Sequence, residues 1–326
     1  MTTTSPKALF GVNACYLRGS YGHDLAPNPR FPDWPAEFDP MDAYRVLIEA
    51  QRLGLGAVRI WLCENAEGIL VEDGNVVGVH QELLDAIQVF QEAAHLNGIK
   101  LYPSLLDGNA WPREEDPFTR SILTDADQSK RFAEHVVAPI AKLLDSEVTL
   151  ALEIVNEPET SAASCMKDSK LEPIEWSDIG RAIRIAGEAA RSEREMFITA
   201  GTMHQFLPQL WRAGAALNAI DVHVYHPHGG LPSRDELADY VEDDALRDTA
   251  LPLIGGELGI PKEAQEDGST ADPMELCHYI HNADRLDYSA AFLWQLEGDL
   301  YDKNAPRRPA TALAKEVAHT LGVIGR

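Results

Sequence analysis

Short apolar, β-branched runs alternate with amphipathic helical stretches along this whole chain, and that alternation restricts the folds open to it. The runs are ALFGVN (8–13), AVRIWL (57–62), KLYPSLL (100–106), VTLALEIV (148–155), MFITAG (196–201), AIDVHVY (219–225), LPLIGG (251–256) and AAFLWQL (290–296). Their near-continuous apolar character suits strands covered on both faces, as in a parallel sheet. Asp39-Pro40 supplies an N-cap and a first-turn proline to a helix whose Val46, Ala50 and Leu53 share one face until Gly54. Leu83, Ile87, Phe90 and Ala94 make a second stripe, closed by Asn97-Gly98. Further helical patterns cover 126–144, 176–192, 205–215, 233–246, 272–284 and 309–321. Strict alternation of this kind predicts an α/β chain folded as a single (β/α)8 TIM barrel spanning residues 1–326, with a doubly wound sheet as the lesser alternative.

Loop lengths locate the working face. Helix-to-strand connections are short, as at 54–56, 97–99 and 144–147, whereas strand-to-helix connections are long and polar at 63–81, 107–124, 157–175, 226–232, 257–271 and 297–308. Long βα loops belong to the C-terminal face, where barrel sites are built. The residues predicted at that mouth are Arg59 with Trp61 and Glu64, then Asp107, Asn109 and Trp111, then Asn156 and Glu157. His223, Tyr225 and His226 follow, then Glu257 after Gly255-Gly256, and last Trp294 with Gln295.

Composition narrows the partners. With 52 acidic against 28 basic residues the formal charge is −24, which repels phosphate backbones and anionic membranes. No nucleic-acid or membrane partner is expected; oligomeric state is left open. The four cysteines, Cys15, Cys63, Cys165 and Cys277, show no metal spacing. MTTTSPKALFGVN lacks the cationic and apolar regions of a secretory signal, so a cytoplasmic setting is expected.

Glu157 and Glu257 lie 100 positions apart (257 − 157), on the predicted fourth and seventh strands, which face each other obliquely across a barrel mouth. Two carboxyls there can approach the ~5 Å separation of retaining glycoside hydrolysis, one giving a proton to the leaving oxygen and the other attacking the anomeric carbon. Arg59 and Tyr225 are suited to keep one carboxylate ionised, Asn156 to bond a sugar hydroxyl, and Trp294 to floor a pyranose ring. Taken singly these residues have plainer readings. Asn-Glu-Pro can simply end a strand, Glu257 can sit in a helical first turn, and Trp294 can be core.

The VRIWL, VNEP, HVYHP, GGELG and LWQL stretches together resemble glycoside hydrolase family 5 of the retaining clan A, most closely its β-mannanase branch, over about residues 9–300. The strand-7 motif has Glu-Leu-Gly where Glu-Phe-Gly is more usual. The resemblance implies that Glu157 is the acid/base and Glu257 the nucleophile. It places Arg59, Asn156, His223, Tyr225, Trp294, Trp61, Asp107, Asn109 and Trp111 in supporting roles. It also implies a β-mannoside or β-1,4-mannooligosaccharide as substrate and no cofactor or metal. A β-glucosidase or endo-β-1,4-glucanase is the alternative of the same class. A metal-dependent barrel hydrolase using His223, His226 and His228, and a carbohydrate-binding barrel without catalysis, stand as alternatives of other classes. Glu257 is expected ionised and Glu157 protonated near neutral pH.

Overall fold

The computed structural model describes residues 8–15, 17, 22–110, 117–162, 172–226, 230–259, 273–296, 300 and 310–322. Eleven strands are present among them: β1 (Leu9–Ala14), β2 (Ala57–Trp61), β3 (Ile69–Glu72), β4 (Asn75–Val79), β5 (Lys100–Asp107), β6 (Leu152–Asn156), β7 (Ile198–Thr199), β8 (Thr202–Met203), β9 (Ile220–Tyr225), β10 (Leu253–Gly259) and β11 (Ala290–Leu293). Nine form one sheet in the order β7-β6-β5-β2-β1-β11-β10-β9-β8, and every ladder in it is parallel. The first and last members, β7 and β8, are separated in the chain only by Ala200 and Gly201. The order therefore returns to its start, and the sheet curls into an α/β barrel.

Helices cover the outside. Asp39 caps the helix Pro40–Arg52 by accepting from the Met41 amide at 2.9 Å, and Gly98 ends the helix Gln81–Asn97 in the left-handed region at φ 62°. The stretch expected as one helix over 126–144 is continuous but passes through a π-helical segment, Ala133–Val137, just ahead of Pro139. Proline has no amide hydrogen, so the register changes there with little loss. Val46, Leu47, Leu83, Ile87, Phe90 and Ile183 belong to the continuous core between helices and sheet.

Two features depart from the expected loops and strands. The segment 63–81, expected as a loop, contains the antiparallel hairpin β3–β4, turning at Asp73 (φ 48°) and Gly74 (φ 74°). Two successive left-handed residues match the twist a tight hairpin needs. The strand expected over 196–201 is reduced to Ile198–Thr199 (β7), which pairs with β6, and a second short piece just past it, β8, pairs with β9.

The barrel interior is a second packed layer of Ala57, Tyr102, Ala151, Ala219, Ile254, Ala290 and Phe292. Four alanines leave room for two rings, and a Cβ at Gly11 would stand 2.6 Å from the Phe292 ring. Small and large side chains alternate to fill the narrow end. This plug closes the bottom of the barrel and leaves its polar groups to gather above.

Candidate active site

Arg59, on β2, has no exposed surface. A buried guanidinium needs all five N–H groups satisfied and a countercharge. Nε and Nη2 donate to Glu153 Oε2 at 2.9 and 2.7 Å, and Nη2 also donates to Asn156 Oδ1 at 2.7 Å. Nη1 donates to Asn13 Oδ1 at 2.7 Å and to Glu257 Oε1 at 2.9 Å. One side chain thereby ties together β1, β2, β6 and β10. Its Cζ lies 5.4 Å from the Trp61 ring centroid and 5.7 Å from that of Tyr102. Trp61, expected in a supporting role, is thus buried against the arginine.

Glu257 reaches the interior through a break in register. Gly255 pairs with Val222, but Glu257 pairs with the next residue, His223, so Gly256 is an extra residue in β10. Such a bulge re-aims the side chain that follows it. Gly256 itself donates to Asp221 Oδ1 at 2.7 Å, and a Cβ there would overlap the Asp221 carboxylate. Tyr225 Oη donates to Glu257 Oε2 at 2.7 Å.

Glu157 follows β6 in the left-handed region, at φ 43°. A side chain there is strained, and its neighbours hold it. Its amide donates to the Gly201 carbonyl at 2.8 Å, and its carbonyl accepts from Thr160 Oγ1 at 2.7 Å. The carboxylate meets His223 Nδ1 at 3.1 Å through Oε1 and accepts from Asn109 Nδ2 at 3.0 Å through Oε2. Asp107 Oδ1 gathers Asn109 and Asn156 Nδ2, the latter at 2.9 Å. An oxygen of Glu157, an oxygen of Glu257 and a ring nitrogen of His223 all lie within 4.8 Å of one another.

Electrostatics distribute the protons differently from the expectation. Full burial pushes the Glu257 carboxyl up, and the Glu157 charge adds to it. His223, Arg59 and the Tyr225 hydroxyl pull the other way, leaving it at about 7. Burial also opposes the Glu157 charge, but the hydrogen bond and charge of His223, then Asn109 and Arg59, overcome it and hold that carboxyl below the usual range. Burial disfavours the His223 cation, yet Glu257 and Glu157 raise it to about 10. These shifts favour the proton expected on Glu157 residing instead on His223, whose Nδ1 lies 3.1 Å from Glu157 Oε1. Burial first, then the Glu257 charge, keep the Tyr225 phenol well above its ordinary range, so it remains a donor.

Most of the expected residues converge here: Arg59, Asp107, Asn109, Asn156, Glu157, His223, Tyr225 and Glu257. Trp294, partly exposed beyond β11, stands edge-on to Tyr225 with ring centroids 6.4 Å apart, and the Trp294–Gln295 peptide is cis. Trp111 and His228 lie outside the described residues. The His226 amide donates to Tyr279 Oη at 2.7 Å. Among the described residues, the acid and histidine groups able to share an ion around His223 draw on Glu153 with Asp221, or on Glu157 with Glu257, and not on His226.

Five participants were not expected: Asn13, Glu153, Asp221, Thr199 and Gly201. Glu153 Oε1 accepts from the Gly201 amide at 2.8 Å, and a Cβ on Gly201 would overlap both that oxygen and His223 Nε2. Below them Tyr102 Oη contacts Thr199 Oγ1 at 2.6 Å and donates to Asp221. Asp221, His223 and Tyr225 sit at alternate positions of β9, so period-two alternation from His223 leads to Asp221. Asn13 and Glu153 carry no comparable mark.

Fold and site together define a class: α/β barrels with two carboxyls converging on one mouth. No family model and no curated protein matches the chain. Solved structures do match. The β-mannanase of the blue mussel Mytilus edulis superposes with TM-score 0.67 at 18% identity, covering 96% of this chain and 91% of that one. The endo-1,4-β-mannanase of Eisenia fetida gives 0.69 at 15%, covering 98% and 92%. GH5_18 from Streptomyces cattleya, solved in complex with GlcNAc, gives 0.69 at 15%, covering 98% and 80%. The chain shares the fold of these proteins.

Proposed function

We propose that this protein is a retaining β-glycoside hydrolase acting on β-mannosides or β-1,4-mannooligosaccharides. In this reading the chain is one catalytic (β/α)8 domain with long βα loops over its mouth, β7 and β8 being two halves of one strand. The observation that carries it is the approach of Glu157 and Glu257, with oxygens within 4.8 Å. Double displacement uses carboxyls about 5–5.5 Å apart, whereas inversion needs roughly 6.5–9.5 Å to admit a water.

Glu257 attacks the anomeric carbon as the bond to the leaving oxygen breaks, and Glu157 gives that oxygen a proton. The proton comes from the His223–Glu157 pair, along the 3.1 Å Nδ1···Oε1 contact. Water then attacks the glycosyl-enzyme as Glu157 removes its proton, and Glu257 leaves, so the configuration is retained. Arg59 and Tyr225 oppose premature protonation of Glu257, and Asn156 and Trp294 face the sugar. Side chains fill every role, so no cofactor is invoked. A β-mannosyl substrate is favoured by the two mannanase neighbours and by GH5_18 from Streptomyces cattleya, a form of which was solved with Manβ1-4GlcNAc.

The test uses Glu257→Ala and Glu157→Ala with aryl β-mannoside and aryl β-glucoside. Azide should restore turnover of Glu257→Ala and give the inverted α-mannosyl azide. Glu157→Ala should keep its first step on a good leaving group and yield the β-azide. The reverse pattern exchanges the two roles, and inversion of product configuration by the unaltered enzyme sinks the mechanism. A faster wild-type turnover of the glucoside would replace the substrate.

A further inference from the structure

A second set of acids lies away from the paired carboxyls. Asp24, Glu64 and Glu67 are 3%, 1% and 0% exposed, and one oxygen from each lies within 4.8 Å of the others. Backbone amides pin one side of each carboxylate. Leu17 N donates to Asp24 Oδ2 at 2.8 Å, Gly22 N to Glu64 Oε1 at 3.0 Å, and Leu25 N and Ala26 N to Glu67 Oε1, the latter at 2.7 Å. The opposite oxygens, Glu64 Oε2 and Glu67 Oε2, are buried and have no hydrogen-bond partner. No lysine, arginine or histidine among the described residues pairs with any of the three, and the charges acting most strongly on them are those of other acids.

An uncompensated buried carboxylate is costly, and three together more so. Burial first pushes all three carboxyls upward; Asp24 and Glu67 then repel Glu64, Asp24 repels Glu67, and Glu37 and Asp42 repel Asp24, which stands at about 7. The fold nevertheless holds them in one place, one oxygen from each within 4.8 Å of the others, and leaves Glu64 Oε2 and Glu67 Oε2 buried without a partner. Oxygens at the 2.3–2.6 Å bond length of Ca²⁺ stand at most roughly 5 Å apart around the ion, which the 4.8 Å spread satisfies. Carboxylates alone, buried from bulk water, suit this hard and geometrically tolerant ion better than Mg²⁺, which keeps much of its hydration.

We propose that Asp24, Glu64 and Glu67 form a binding site for one divalent cation of the Ca²⁺ type. The ion would clamp the segment after β1, through Asp24, to the turn after β2, through Glu64 and Glu67. Asn65 and Ala66 between those glutamates are left-handed, at φ 56° and 70°, and Asn28 Nδ2 already bonds Gly22 O and Asn65 O across the same two segments. A cation completes that joint.

The experiment is equilibrium dialysis of chelator-treated full-length protein against CaCl₂, with melting followed in parallel. One Ca²⁺ per chain is expected, with a rise in melting temperature of about 5 °C at a hundredfold excess over Kd. In E64Q/E67Q, Ca²⁺ affinity should fall at least about tenfold, and the metal-free variant should melt no lower than the metal-free wild type, since repulsion is relieved. If the variant does not fold, the wild-type dialysis decides alone. No binding at about 1 mM Ca²⁺, with stability that tracks pH but not metal, overturns the proposal in favour of shared protons. Undiminished binding by the variant, or a larger response to MgCl₂, overturns the site or the ion. Azide rescue at Glu257 is independent of every arm.

Discussion

At the residue scale the site depends on how protons are shared among Glu157, His223 and Glu257. On the proposed mechanism Glu257 attacks the sugar as a carboxylate, and at about 7 it becomes ionised only as pH rises. The proton for the leaving group is held until His223 loses it near 10. On the proposed mechanism, kcat/KM should therefore climb through about pH 7 and decline toward pH 10. Tyr225→Phe removes one of the two hydrogen bonds that favour the Glu257 charge, worth about 1.5 kcal/mol. The acidic limb should move upward by about one unit while the alkaline limb stays. A profile flat between pH 5 and 7 would contradict this assignment, as would a downward shift in the variant. That Glu157 and Glu257 meet was legible from strand ends. Their protonation was not, because it depends on the 3.1 Å contact between β9 and the turn after β6.

At the element scale the apolar runs located eight of the nine strands of the sheet, missing Thr202–Met203, and they could not set register. Nothing in LPLIGGELG shows that Gly256 is an extra residue, and without it Glu257 would turn toward the helices, since side chains alternate along a strand. Deleting Gly256 should abolish turnover, by about a thousandfold or more, while far-UV circular dichroism keeps its α/β character. Substantial remaining activity would show that the bulge does not orient the carboxyl. The β3–β4 hairpin was legible in principle, because Asp73-Gly74 between ILVE and NVVGV is a tight-turn signal. Glu153 was concealed by its neighbours: in an apolar strand a lone acid has no visible partner until Arg59 is placed opposite it.

At the scale of the whole molecule the barrel divides along its axis, with an aromatic and alanine plug below and a charged layer above. The two layers should be separable by mutation. Phe292→Ala should cost about 3–5 kcal/mol of stability, lowering the melting temperature by about 4–7 °C, while the acidic limb stays near pH 7. A moved limb would mean that the plug also sets the electrostatics above it. One further relation concerns the join where the sheet meets its own beginning. Between β7 and β8 stands Gly201, whose amide serves Glu153 and whose carbonyl receives the amide of Glu157. On the proposed mechanism the shortest staves of the barrel are thus the backing of the proton donor, and loosening that join would disarm the site while the rest of the cask still stands.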